Sequence, residues 1–78
     1  MRPIDIHKQV RSTPFVPMRL HFSDGSSIDV RHPEFIAVTR TVLGITVPDP
    51  SENELPEHVI LCDPLHVVRL EPINGQDS

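Results

Sequence analysis

The stretch MRLHFSDGSSIDVRHPEFIAVTR, residues 18–40, decides the fold. Two runs of alternating apolar and polar residues flank Asp24-Gly25. That dipeptide between alternating runs is the strongest short-range sign of a β-hairpin. Before it, Met18, Leu20 and Phe22 alternate with Arg19, His21 and Ser23. After it, Ile28 and Val30 alternate with Asp29 and Arg31. Such strands bury one face and wet the other, as in an antiparallel sheet. The expected strands cover 16–22 and 27–31. His32-Pro33-Glu34 then interrupts pairing, because proline has no N–H to give to a ladder.

Working outward, 35–40 and 42–47 read as two further strands of nearly continuous apolar character. Gly44 inside the second predicts a bulge or a close backbone approach. PDPSENELPE, residues 48–57, holds three prolines and four acids without periodicity and reads as a loop. HVILC, 58–62, is a strongly β-forming run, Asp63-Pro64 turns the chain, and 65–71 is the last strand. On the other side, 3–12 reads as a short helix. Pro3 suits its first turn, Asp5 suits the positive end of its dipole, and Ile6 and Val10 share a face. Pro14 and Pro17 hold the link around Phe15 extended. The whole predicts one small domain over 1–72 and a flexible C-terminal tail over 73–78. The fold class is α+β, mostly β: a short N-terminal helix and a curled antiparallel sheet of five or six strands, left open or rolled into a small barrel. The expected core is Ile6, Val10, Phe15, Met18, Leu20, Phe22, Ile28, Val30, Ile36, Val38, Leu43, Ile45, Val59, Leu61, Val67 and Leu70.

Composition bounds the rest. The chain has 78 residues, 37% hydrophobic, with no Trp, no Tyr and three Phe. A domain this small buries only roughly 60–65% of its unfolded surface, so a partner adds useful stability. Cys62 is the single cysteine, which excludes an internal disulfide and agrees with a reducing compartment. No apolar run approaches the ~20 residues that span a bilayer, and MRPIDIHKQVRS carries no apolar leader core. The expectation is a cytoplasmic protein without membrane contact. Net charge is −4. Residues 1–40 hold six basic and four acidic side chains, whereas 41–78 hold one and seven. Such polarity suits head-to-tail association or an anionic partner on one face, or simply keeps an acidic loop and tail solvated.

Candidate chemistry is sparse. No phosphate loop, nucleophile elbow or paired carboxylate motif is present. Five histidines invite a metal, yet none stands at a recognised zinc spacing. A site assembled in space would draw on His21, His32 and Glu34, and the same His32-Pro33-Glu34 segment reads equally as a bend with local hydrogen bonds. Cys62, in an apolar strand, reads as a small hydrophobe. The best ligand-binding set is Arg19, His21, Arg31 and Arg40, since arginines on a sheet grip phosphate or carboxylate. Against nucleic acid stand the acidic net charge and the lack of spare aromatics for stacking.

Pro14-Phe15-Val16-Pro17, Asp24-Gly25, His32-Pro33-Glu34-Phe35 and the closing His66-Val67-Val68-Arg69-Leu70-Glu71 together resemble a group of short bacterial proteins with no known activity. The resemblance covers about three quarters of the chain and implies no reaction. Ser26 departs from the group, where a basic residue is usual. A looser likeness, in element order alone, is to SH3-like and Sm-like small barrels; the Sm-like proteins form rings and bind RNA. Fold does not imply function.

The functional expectation is therefore a non-catalytic protein-interaction or regulatory module that self-associates or binds a protein partner. It is not expected to be an enzyme or to need a cofactor. One alternative is an Sm-like nucleic-acid binder using the basic sheet face. The other is a small metal-dependent enzyme.

Overall fold

The computed structural model describes residues 1–48 and 56–73. Its order is α1 (Pro3–Val10), β1 (Met18–Phe22), β2 (Ser27–Val30), β3 (Ile36–Val38), β4 (Leu43–Pro48), β5 (Pro56–Cys62) and β6 (Val67–Pro72). Most of the expected 48–57 loop and nearly all of the expected tail lie outside the described residues. The domain is α+β and mostly β, as the alternation predicts. The strands do not form one curled sheet, however. They form two three-stranded antiparallel sheets, β2-β1-β6 and β3-β4-β5, not closed into a barrel.

Proline explains the division. The chain passes between the sheets twice among the described residues, after β2 and after β5, and each passage is a single 3₁₀ turn opened by proline. These turns are Pro33–Phe35 and Pro64–His66. Proline's fixed φ starts the turn, and its missing N–H cannot extend the preceding ladder. Asp63 caps the second turn, its Oδ1 accepting from the Leu65 N–H at 2.9 Å. Leu65, expected in the last strand, belongs to this turn instead.

The hairpin forms as the Asp-Gly signal predicts. The Gly25 N–H donates to the Phe22 carbonyl at 2.9 Å, and the Phe22 N–H donates to the Ser26 carbonyl at 2.9 Å. Gly25 closes this three-residue connection at φ 90°, a left-handed conformation that glycine adopts without steric penalty. Asp24 Oδ1 accepts from the Ser26 N–H at 2.9 Å and from its Oγ at 2.6 Å.

β1 is central to the first sheet. Met18, Leu20 and Phe22 are buried, and Leu20 stands between Ile28 and Leu70. β4 is central to the second, with Leu43 opposite Cys62 and Ile45 between Ile36 and Ile60. α1 lays Ile6 and Val10 onto this core and packs against β3. Buried Met18, Leu20, Phe22, Val30, Ile36, Leu43, Ile45 and Val67 complete it.

Two expectations about the second sheet are corrected. Val59 and Leu61 are not core residues: they are 57% and 71% exposed. The register pairs Ile60 and Cys62 with the inward Ile45 and Leu43, so the residues of opposite parity must point outward. Gly44 makes no bulge either, since it sits in unbroken register between Ala37 and Leu61. A Cβ added there would touch only Leu61 Cδ2, at an ordinary 3.8 Å.

Candidate functional site

Three surfaces compete. The first is the wet face of the sheet β2-β1-β6, where the register sets Arg19 between Asp29 and Glu71 and His21 between Ser27 and Arg69. Arg19, His21 and Arg31 do share this face. Their charges are largely met within the molecule. Arg19 forks onto Asp29, Nε to Oδ1 at 2.7 Å and Nη2 to Oδ2 at 3.2 Å. Arg31 Nη2 lies 3.6 Å from the same carboxylate. His21 Nε2 lies 2.8 Å from Glu71 Oε1 and 3.3 Å from Arg69 Nη2. One nitrogen cannot donate to Glu71 and accept from Arg69 at once, and the shorter contact selects the tautomer that donates to Glu71. The hydrogen bond from Arg19 holds the Asp29 carboxyl below its ordinary range, and that from His21 does the same for Glu71.

Arg40 does not join this set. It stands in the β3–β4 turn, where it borders a hollow with Pro3, Ile4, His7, Val38 and Thr39. Nor are His21, His32 and Glu34 brought together. His32 lies edge-on to Phe35, ring centres 5.3 Å apart. Among the described residues, no group of three or more His, Cys, Asp or Glu could hold a metal ion. Sequence reading missed Arg69 and the acid Glu71, because both lie in β6 and reach the face only through the β1–β6 register.

The second surface is a groove of about 600 Å³ between the hairpin tip and β5. Phe22, Ile28, Ile60 and Cys62 line it, with Ser23 and His66 at its rim. Ser23 Oγ and His66 Nδ1 are 3.0 Å apart, which resembles a nucleophile beside a base. Among the described residues no carboxylate orients the ring: Asp63 is engaged by the Leu65 N–H and Asp24 by Ser26. The Ser23 N–H also donates to the His66 carbonyl at 2.8 Å. The pair thus ties the hairpin to the turn before β6. Burial, and then the nearby Asp24 charge, push the Cys62 thiol up, so the sulfur is a poor nucleophile at neutral pH.

The third surface is the outer face of the second sheet. Ala37, Gly44 and Leu61 form one row across it, and Thr46 and Val59 the next. None of these side chains is charged. β5 is hydrogen-bonded to β4 on one side only among the described residues.

No helix among the described residues is long and apolar enough to cross a membrane. No family model, no curated protein and no solved structure matches this chain.

Proposed function

We propose that this protein works by association, and that β5 pairs with β5 of a second copy. The observation that supports this most is the exposure of Val59 and Leu61 on a face where Ala37, Gly44, Thr46, Val59 and Leu61 are uncharged, next to a strand edge that pairs with no other strand among the described residues. An edge strand with free backbone groups is a pairing template, which native chains usually blunt with lysine, proline or bulges. β5 carries a proline and a register shift at its Pro56 end, whereas 58–62 carry neither these nor lysine.

The strand is also self-complementary. Antiparallel pairing centred on Ile60 sets Leu61 opposite the partner's Val59, on the outer face of both copies. The apolar rows of the two sheets then become continuous. Chains of net charge −4 repel one another, and the same register sets acidic residues 57 and 63 opposite each other at the two ends of the paired segment, so pairing is expected to tighten as salt rises. The groove along Ile60 and Cys62 leaves room for the incoming strand.

The alternative, RNA binding on the wet face, has weaker support, because Arg19 and His21 are already engaged by Asp29 and Glu71. The metal-dependent alternative has weaker support too, because His21, His32 and Glu34 form no cluster among the described residues. The test is solution mass against concentration, by light scattering on a sizing column. The expected result is a shift from the 8.8 kDa chain to twice that mass. A single mass of one chain throughout overturns the proposal, and RNA binding at low salt without self-association favours the alternative.

A further inference from the structure

Positive charge that forms no ion pair among the described residues gathers beside α1, away from both sheet faces. Residues 4, 7, 8 and 11 fall at helical spacing and share one side of α1 and its C-terminal cap. They are Ile4, His7, Lys8 and Arg11, all exposed. The β3–β4 turn brings Arg40 beside them, and a hollow of about 310 Å³ opens between, lined by Pro3, Ile4, His7, Val38, Thr39 and Arg40. Among the described residues, Lys8, Arg11 and Arg40 make no ion pair, whereas Arg2 is held by Asp5 at 2.9 Å.

Folding explains part of this. Lys8 and Arg11 sit near the C-terminal end of α1, where cations offset the helix dipole. It does not explain Arg40. That turn is closed by Thr39, whose Oγ1 donates to the Val42 carbonyl at 2.8 Å and accepts from the Val42 N–H at 2.9 Å. No hydrogen bond of the turn uses the Arg40 side chain.

We infer that this face docks an acidic peptide segment of a partner protein that carries one apolar side chain. Carboxylates meet Arg40, Lys8 and Arg11, and the apolar side chain enters the hollow over Pro3, Ile4 and Val38. The scale fits: the stripe from residue 4 to 11 is ~10 Å long, and an extended peptide repeats a face about every 6.6 Å. RNA fits less well. The hollow offers no Phe ring, and unpaired bases depend on aromatic platforms. The inference does not rest on pairing through β5.

The experiment is fluorescence anisotropy with a dye-labelled glutamate octapeptide holding one central leucine, titrated with the full chain at low salt. Saturable binding that weakens as salt rises past about 0.15 M is expected. Arg40→Glu is expected to weaken it about tenfold, and Ile4→Ser severalfold at every salt concentration. Both residues are exposed, and circular dichroism verifies that the variants fold. Leu61→Lys is expected to leave peptide binding unchanged, which separates this inference from the β5 pairing. Absence of binding at low salt overturns it. So does equal binding by Arg40→Glu, equal binding of an all-glutamate peptide, or tighter binding of a single-stranded oligouridylate of the same charge.

Discussion

Leu61→Lys is the perturbation that bears most directly on β5 pairing. Full burial of a valine or leucine side chain contributes about 1.5–3 kcal/mol. Leu61 is 71% exposed, so covering what remains is worth about 1–2 kcal/mol per chain. A two-fold interface counts it twice, about 2–4 kcal/mol, or a roughly 30- to 700-fold change in dissociation constant. Lysine removes this apolar contact and adds a charge that must be desolvated. The monomer should barely notice: an exposed position away from caps and turns shifts stability by no more than about 0.5 kcal/mol. The assay is sedimentation velocity over a concentration series, with thermal melting as the check on folding. Ala37→Lys, two strands inward on the same row, reports how far the partner reaches. If the contact is confined to the edge, Ala37→Lys leaves the dissociation constant unchanged; if the whole outer face is covered, it weakens as well. Identical mass distributions for wild type and Leu61→Lys, both associating, would refute the reasoning and place the contact elsewhere.

Other consequences follow from the same geometry. Asp29 titrates below its unfolded value because Arg19 donates to it, so its contribution is present at neutral pH and lost as pH falls through the folded pKa. Glu71, Asp24 and Asp5 shift in the same direction, so the urea midpoint should drop progressively as pH falls below about 5, with a smaller drop for Asp29→Asn. Leu20→Ala, at the buried centre of β1, should destabilise by about 2–5 kcal/mol, whereas Val68→Ala on the exposed side of β6 should stay within about 0.5 kcal/mol; chemical denaturation measures both. Gly25→Ala should cost about 1–2 kcal/mol through its left-handed backbone alone, since nothing lies within 4 Å of the added Cβ. Gly44→Ala should instead gain about 0.5 kcal/mol, because the strand has room for the methyl group.

Much of the fold was legible where a residue type admits one physical solution. Asp24-Gly25 between alternating runs dictates a tight connection, and the alternation itself assigns Met18, Leu20 and Phe22 to the interior. Ile6 and Val10 on a helix opened by Pro3 were equally plain. Legibility failed where the deciding term is long-range. Pro33 and Pro64 each announce a break, but whether a break ends a strand or moves the chain to another sheet depends on what the next strand pairs with. Arg19 and His21 were legible as surface residues. That a carboxylate already holds His21 was not, because Glu71 lies fifty residues away and meets it only through the β1–β6 register; Arg19 meets Asp29 inside the hairpin, where the register follows from the Asp-Gly turn.

HVILC, 58–62, brings these lines together. Alternation assigns a face only when polar residues mark the other one, and from Val59 to Cys62 this run has none. A strand apolar on both sides reads as central, sandwiched between layers. Here it is an edge strand, and one of its apolar sides has no layer over it among the described residues. Local pattern and observed burial therefore disagree at Val59 and Leu61, and such disagreements concentrate at functional positions. Pairing of β5 with a second copy would remove the disagreement at its source: the strand becomes central to a sheet of six, the position its composition already describes. On that argument the misread parity of Val59 and Leu61 and the association surface are one property of the sequence.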